Sequence, residues 1–478
     1  MLEEVNRYVP IYKTARDQLL TVGLHTATTS LTADMALVMP AGADPRRQNL
    51  PTVSEVAAVV PDVGPGISTA RDIWLTLRTP EGGSSLRRLS VCHPSYLPLH
   101  YVLLFPYGDP GWHDGMELHD PDQVRERHRL TLRMWHAYRL FTRRGEFNTL
   151  FRAQRLFQQY VVDAAATYDQ NRLNWVYHNQ STIRADQYQG LADAFDATDG
   201  DPTAMGRTLI LPSSHTGSQR SMHAAYMDAM AITGHFGKPH LFLTMTANPE
   251  WEEVVQAMRG MSASQKAMNR PDLVTRVFDM KKKQLMREIF YDNVFGKSPA
   301  RVWTIEYQKR GLPHLHLLVF LENSDRLLDP DTVDEMVCAE IPDSSWDRDG
   351  ELAAVIRSAM IHGPCAGHDN NAACLENGRC SKRYPRPFND ETSIGEDGYP
   401  LYRRRDRPET SFDKMVRGSR VTVDNRWVVP YNPYLTRRYK AHINVEICSS
   451  IKAIKYLYKY VYKGKDRSFH RVSVPSAR

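Results

Sequence analysis

Residues Ile305 to Glu322 read IEYQKRGLPHLHLLVFLE and predict the arrangement at the centre of the fold. The stretches RVWTIEYQ and HLHLLVFL each have the length and apolar content of a β-strand, and only KRGLP separates them. Such a short connection closes an antiparallel hairpin, because parallel strands need a crossover of a dozen residues or more. Helical patterns interleave with further strands after residue 206. We therefore expect an α+β fold with a central antiparallel sheet flanked by helices and preceded by a helical N-terminal region.

Two histidines begin the second of these strands. Side chains alternate along a strand, so His314 and His316 share one face, about 7 Å apart. Glu306 and Gln308 share one face of the preceding strand, and folding the hairpin back brings that face opposite the histidines. Two imidazoles with a carboxylate or amide suit Mg²⁺ or Mn²⁺ at a phosphate. A His-x-His pattern alone also fits core or surface histidines, and the pattern leaves Glu306 and Gln308 open as the third ligand.

A second informative stretch is SSIKAIKYLYKYVYKGKDR, Ser449 to Arg467. A helix turning 100° per residue places Tyr458 and Tyr462 on its apolar side, where packing explains them. Tyr456 and Tyr460 flank a lysine face, and nearby ammonium groups favour the phenolate form of a tyrosine. We therefore predict Tyr456 and Tyr460 as catalytic residues. Basic side chains that bind a DNA backbone electrostatically are predicted at Lys452, Lys455, Lys459, Lys463 and Arg467.

The stretch HGPCAGHDNNAACLENGRCSKRYPRPF concentrates potential zinc ligands. Three thiolates and one imidazole make a tetrahedral structural site. The spacing is irregular and contains no Cys-x-x-Cys pair, so a polar loop with reduced cysteines is the alternative. The candidate zinc ligands are Cys365, Cys374, Cys380, His362 and His368.

Composition narrows the class of protein. The 478 residues, 42% hydrophobic and 24% charged, are typical of a globular chain of about three domains. No apolar run is long enough for a transmembrane helix, and the start MLEEVNRYVP lacks the layout of a signal peptide. Six cysteines in a chain of this length favour an intracellular, reducing compartment. Residues 401–478 hold 19 Lys/Arg against 6 Asp/Glu, which predicts a nucleic-acid partner. Because no transmembrane run is found, no membrane partner is expected.

Changes in composition and in the pattern of helix and strand signals divide the chain into five predicted regions. They are a loosely ordered or small accessory region (1–85), a mainly helical region (86–200), a core with the metal-site strands (201–335), a Cys/His-containing insertion (336–400) and a basic DNA-binding block with the tyrosine helix (401–478).

These stretches together resemble the Rep nuclease part of Helitron transposases of the RepHel type, members of the His-hydrophobe-His (HUH) endonuclease class. The resemblance covers roughly residues 90–470 and is most specific in RPDLVTRVFDMK, IEYQKRGLPHLHLLVF and KYLYKYVYKGKDR. It implies a Helitron helicase-like N-terminal region, an HUH nuclease core and a divalent metal held by His314 and His316. It also implies that Tyr456 and Tyr460 are nucleophiles that cut and rejoin single-stranded DNA through a 5′-phosphotyrosine in rolling-circle transposition.

The implied partners are single-stranded transposon ends and target DNA, in the nucleus. Helitron proteins usually continue into a helicase, but no ATPase motif is found here; YDNVFGKS lacks the first glycine of a P-loop. We therefore expect helicase activity from elsewhere or from a missing C-terminal domain. Two alternatives are a metal-dependent nuclease that uses water and a non-catalytic remnant that binds single-stranded DNA. A covalent protein–DNA adduct distinguishes the tyrosine mechanism from both.

Overall fold

The computed structural model describes most of the chain from residue 72 to 448. The described residues are 2–7, 72–78, 84–118, 128–179, 211–322, 329–448 and 468–472, with short internal gaps at 144, 213, 260, 262–265, 309–310, 366, 370 and 396–399. The chain forms two compact units, Met1–Ile210 and Leu211–Arg478. The finer division into five regions stays a prediction.

The first unit combines a β-hairpin with helices. Its strands are β1 (Ile73–Arg78) and β2 (Ser84–Leu89), and its helices are α1 (Leu2–Val5), α2 (Tyr96–His100), α3 (Leu132–Arg139), α4 (Thr149–Arg152) and α5 (Arg155–His178). Large aromatic side chains fill its core, among them Tyr96, Phe105, Phe157 and Tyr160, which are at most 1% exposed. Burying aromatic rings is a strong source of stability. These residues therefore explain the compactness of the unit without implying chemistry.

The second unit carries the central sheet. Its helices are α6 (Gln219–Phe236), α7 (Glu252–Ala257), α8 (Pro271–Phe290), α9 (Pro330–Met336), α10 (Glu351–Ala359) and α11 (Pro433–Tyr439). Its strands are β3 (Leu241–Thr246), β4 (Ala300–Tyr307), β5 (Pro313–Phe320), β6 (Leu375–Glu376), β7 (Arg379–Cys380), β8 (Ser393–Ile394), β9 (Pro400–Leu401), β10 (Phe412–Val416), β11 (Ser419–Val423), β12 (Ile443–Ile447) and β13 (Ser468–Val472). Short 3₁₀ turns lie at Ala267–Asn269, Pro408–Thr410 and Asn425–Trp427.

The central sheet has five strands in the order β12-β3-β5-β4-β13, and every neighbouring pair is antiparallel. β4 and β5 form the expected hairpin, with Glu306 directly opposite His314. Mixed helices and antiparallel sheets confirm the α+β class. The segment HLFLTMT contains β3, which pairs with the histidine strand β5, and its Thr244 lies opposite His316.

The two faces of this sheet differ in chemistry. On one face Leu315, Leu317 and Val319 are fully buried in the main core. That core also contains apolar residues of α8 and α11, so the two helices cover this face. On the other face Leu318 and Phe320 pack with residues of α6 at one end of the strands. The opposite end of that face is polar and includes both histidines.

Helix boundaries near the sheet follow ordinary capping rules. The Ser218 hydroxyl accepts a hydrogen bond from the Ser221 N–H and begins α6, and Gly237, with φ of +77°, ends it. Pro271 stands at the start of α8, where a missing N–H costs nothing. Among the described residues, no helix is long and apolar enough to cross a lipid bilayer.

Candidate metal centre and the cavity around it

Three predicted ligands meet on the polar end of the sheet face. We call Glu306, His314 and His316 the sheet cluster; one ligand atom from each lies within 4.8 Å of those of the other two. The Nε2 atom of His316 is 2.8 Å from Oε1 of Glu306. Strand register produces this arrangement, because opposite residues of antiparallel strands project to the same face. Two imidazoles and a carboxylate at this separation can hold one divalent ion.

Neighbouring residues of β3 hold the two imidazoles in place. The hydroxyl of Thr246 is 2.8 Å from Nδ1 of His314. If His314 donates through Nδ1, its Nε2 carries the lone pair that can coordinate a metal. The ring of Phe242 stacks on His316, with centroids 5.8 Å apart. His314 and His316 are 9% and 3% exposed, so both rings are oriented by packing before any ion binds.

The sheet cluster opens into a cavity of about 640 Å³. Gln308, the other predicted third ligand, also lines this cavity. Gln308 follows the end of β4 and closes the turn of the hairpin, where its N–H donates to the carbonyl of Leu312 at 3.0 Å. The lining consists of Phe242, Thr244, Glu306, Gln308, His314, His316, His362, Lys382, Tyr384, Arg386, Val429, His442, Asn444, Glu446, Ile447 and Cys448. The structure thus brings all four predicted ligands to one cavity.

The charges of the cavity wall are balanced. Two carboxylates, Glu306 and Glu446, face two cations, Lys382 and Arg386. A divalent ion at the sheet cluster would therefore make the cavity positive, which favours a phosphate. Burial, followed by the charge of Glu446, raises the pKa of the Cys448 thiol to about 12, so this cysteine is a neutral part of the wall.

A second group of potential ligands lies in the Cys/His-rich segment. We call His362, Cys365, Cys374 and Cys380 the cysteine cluster; their ligand atoms all lie within 4.8 Å of one another. The Cys380 Sγ atom is 3.3 Å from Nε2 of His362. His368 is outside this cluster; it is exposed, and its ring centroid lies 6.4 Å from that of Trp427. The three cysteines are irregularly spaced in the sequence, but in the structure they form a Cys₃His set with His362.

Local turns bring the cysteines together. Cys374 precedes the β6–β7 hairpin and Cys380 is its last residue. The turn residues Asn377 and Gly378 both have positive φ, as a tight Asn-Gly turn requires. Burial raises the pKa of Cys380, but hydrogen bonds from the backbone N–H groups of Tyr384 and Lys382 outweigh it, and the pKa is lowered. A lowered pKa favours the thiolate, the form that binds metals.

The predicted tyrosine helix lies outside the described residues. This holds for Tyr456 and Tyr460 and for the predicted DNA-binding residues Lys452, Lys455, Lys459, Lys463 and Arg467. Their roles stay predictions.

Sequence reasoning missed several residues of the site. Thr246 lies 68 positions before its partner His314, so no local pattern links them. Lys382 and Arg386 line the cavity from the end of the Cys/His-rich segment. A signal for them existed in the basic run SKRYPR directly after the last cysteine, but only the tertiary structure places that run beside the sheet.

Comparison with known protein families gives one match. The family model described as "Helitron helicase-like domain at N-terminus" matches residues 135–319. This range includes Thr246 and the whole sheet cluster, and it ends before the cysteine cluster. The match supports a Helitron-type protein, and with it a transposase or nuclease type of enzyme that acts on DNA. No curated protein matches the chain significantly.

Proposed function

We propose that this chain is the HUH nuclease part of a Helitron-type transposase of the RepHel kind. It would cleave and rejoin single-stranded DNA at transposon ends and target sites by metal-assisted tyrosine transesterification, as in rolling-circle transposition. A chromosomal substrate would place this activity in the nucleus.

The observation that carries the proposal is the sheet cluster. It lies within the residues that the Helitron family model matches, on a sheet face that opens into a cavity large enough for a nucleotide. The resemblance of IEYQKRGLPHLHLLVF to the HUH motif supports the same site independently of the geometry.

The donor set of the sheet cluster fits a divalent cation. One carboxylate with two imidazoles suits Mn²⁺ better than Mg²⁺, which prefers oxygen ligands. When bound, the ion supplies charge that polarises the scissile phosphate. Glu306, His314 and His316 would hold it, and Thr246 would keep His314 in the tautomer that can coordinate it. Gln308, on the same cavity, is the alternative third ligand.

In the proposed reaction the phenol oxygen of Tyr456 or Tyr460 attacks the phosphorus of a phosphodiester. A bond forms between that oxygen and phosphorus, the bond from phosphorus to the 3′ oxygen breaks, and the phenol proton ends on the 3′-OH. The 5′-phosphotyrosine keeps the energy of the broken bond, so the reverse attack by a 3′-OH rejoins DNA without ATP. A second tyrosine allows a second strand to be attacked.

We also propose that the cysteine cluster holds structural zinc. Three thiolates and one imidazole that converge from four positions form the closed tetrahedral donor set that Zn²⁺ prefers. Cys365 and Cys380 are buried, which is typical of a structural site and not of a catalytic one.

The proposed reaction is tested on denaturing gels. A library of labelled single-stranded oligonucleotides is incubated with the protein in Mn²⁺, Mg²⁺ or EDTA, alongside Tyr456→Phe, Tyr460→Phe and the double variant. We expect a metal-dependent protein–DNA adduct that the double variant does not form.

The other outcomes identify the two alternatives. Metal-dependent cleavage without any adduct would contradict the tyrosine mechanism and indicate a nuclease that uses water. DNA binding with neither cleavage nor adduct would indicate a non-catalytic DNA-binding protein.

A further inference from the structure

The cavity in front of the sheet cluster receives side chains from the segment that follows Cys380. Lys382, Tyr384 and Arg386 line it. His362 lines it too, and His362 is also the imidazole of the cysteine cluster. His362 therefore connects the cysteine cluster to the wall of this cavity.

The cysteine cluster determines where this segment lies. The N–H of Ser381 donates to the carbonyl of Cys374, and that of Arg383 to the carbonyl of Cys380, both at 2.8 Å. The ring of Tyr384 stacks on His362, with centroids 4.3 Å apart and planes within 22°. Ser381, Arg383 and Tyr384 thus each contact a residue of the cysteine cluster.

The end of the segment is attached elsewhere in the same unit. The N–H of Arg386 donates to the carbonyl of Arg426 at 2.9 Å. The Arg386 guanidinium carbon lies 5.3 Å from the centre of the Tyr384 ring, which restricts its orientation. Lys382 and Arg386 consequently lie on a segment that contacts the cysteine cluster at one end and Arg426 at the other.

Both cations line the same cavity as His362. Lys382 is exposed and Arg386 is half-buried, so a ligand in the cavity can reach both. Ammonium and guanidinium groups are the side chains that bind nucleic-acid phosphates.

These two charges favour the entry of a polyanion. Glu306 and Glu446 would repel a phosphodiester from the sheet face, and Lys382 and Arg386 are the cations that offset them on the cavity wall. Since one divalent ion serves a single phosphate, the neighbouring phosphates of a strand require other partners.

We propose that the segment from Cys380 to Arg386 is a substrate clamp. Lys382 and Arg386 bind backbone phosphates of single-stranded DNA next to the phosphate at the sheet cluster, and zinc in the cysteine cluster holds the clamp in position. The clamp rests on the proposed function, since it assumes that the DNA strand lies at the sheet cluster.

The first test measures how DNA binding depends on salt. Binding of a short fluorescein-labelled oligothymidine is followed by anisotropy in Mn²⁺, in the Tyr456→Phe/Tyr460→Phe background, where the proposed cleavage cannot occur. Each phosphate contact on a single strand contributes about 0.7 to the slope of log K against log salt. Lys382→Ala/Arg386→Ala is therefore expected to reduce that slope by about 1.4.

The control for this test is Arg379→Ala. Arg379 is an exposed cation in the same β6–β7 hairpin but does not line the cavity. It should leave the slope unchanged. An unchanged slope in Lys382→Ala/Arg386→Ala, or an equal loss in Arg379→Ala, would overturn the clamp.

The second test concerns zinc. Purified wild-type protein should contain one equivalent of zinc, measured by elemental mass spectrometry. After zinc is removed with a zinc-selective chelator, with Mn²⁺ kept in excess, the slope should fall as in Lys382→Ala/Arg386→Ala and recover with one equivalent of Zn²⁺. A slope that does not change with zinc content would refute the structural role of the cluster in the clamp.

These results separate the clamp from the nuclease. If wild-type protein forms the tyrosine adduct and the clamp variants keep the full slope, the clamp is wrong and the nuclease stands. If the clamp variants lose slope and wild-type protein forms no adduct, the chain binds DNA through the clamp without the proposed chemistry. Absence of binding by the wild-type protein would overturn both.

Discussion

The two clusters of the second unit bring their metal-ligating side chains together in different ways. The sheet cluster takes its residues from two hydrogen-bonded strands, with Glu306 opposite His314 in the ladder. The cysteine cluster takes its residues from turns and from the short β6–β7 hairpin, spread over the chain from His362 to Cys380. In the first, backbone pairing positions the side chains. In the second, loops with little regular structure do so.

The difference indicates what each metal would contribute. Strands that pair on both sides keep the sheet cluster in place whether or not an ion is bound, so a metal there adds chemistry. Loops that meet at four ligands lack such a ladder, and a metal at the cysteine cluster would add folding free energy. Substitutions at the two clusters should therefore separate activity from stability.

The largest effect is expected for His316→Gln. This change removes a ligand of the sheet cluster while keeping a polar side chain of similar length. Losing several kcal/mol of transition-state stabilisation should lower cleavage about 10³-fold or more. The free energy of unfolding should change by no more than about 1 kcal/mol, because the strand ladder remains. Single-turnover cleavage and urea unfolding measure the two quantities.

His442→Gln is the matched control for that change. Its ring lines the same cavity but is outside the sheet cluster. An equal loss of cleavage in the two variants would mean that the cavity as a whole, and not the sheet cluster, is responsible.

The opposite pattern is expected for Cys380→Ser. Loss of a thiolate from the cysteine cluster should release zinc and lower the free energy of unfolding by about 3 kcal/mol or more. Cys92→Ser, in the first unit, should keep zinc and cost less than about 1 kcal/mol. Zinc content and urea unfolding are measured together. A Cys380→Ser protein as stable as the wild type would show that loop packing alone forms this region.

A smaller effect is expected for Thr246→Val, which removes the hydroxyl beside Nδ1 of His314. Loss of such a supporting hydrogen bond commonly lowers metal affinity about 10–100-fold. Thr246→Ser keeps the hydroxyl and should restore most of the affinity. Mn²⁺ binding is measured by calorimetry. Equal affinities of the Val and Ser variants would mean that strand register alone orients His314.

The smallest effect, of opposite sign, is expected for Thr304→Val. Thr304 lies opposite His316 in the ladder and is 1% exposed, and its hydroxyl has no hydrogen-bond partner among the described residues. Replacing it by a methyl group should stabilise the fold by about 1 kcal/mol and leave Mn²⁺ affinity unchanged. Reduced affinity would show instead that this hydroxyl supports the metal centre.

Sequence patterns predict the sheet cluster well because its geometry is local. Glu306 and His316 are ten positions apart, and a short turn with strand alternation brings their two faces together. That pattern did not choose between Glu306 and Gln308. The same reasoning could not choose between His362 and His368, since both lie within a few residues of Cys365 and loop backbones have no fixed period. The tyrosine helix, although equally regular in sequence, lies outside the described residues and stays a prediction.

The sequence by itself determined the α+β class, the β4–β5 hairpin and the face that carries both histidines, because alternation and short turns act between neighbours in the chain. Only the tertiary structure decided that Thr246 supports His314, that His362 completes the cysteine cluster, and that Lys382 and Arg386 reach the cavity. The contact of Thr246 with His314 and the approach of Lys382 and Arg386 to the sheet join segments far apart in sequence. His362 is close to its cysteines in the chain, but loop backbones have no fixed period, so packing in the second unit selects this contact too.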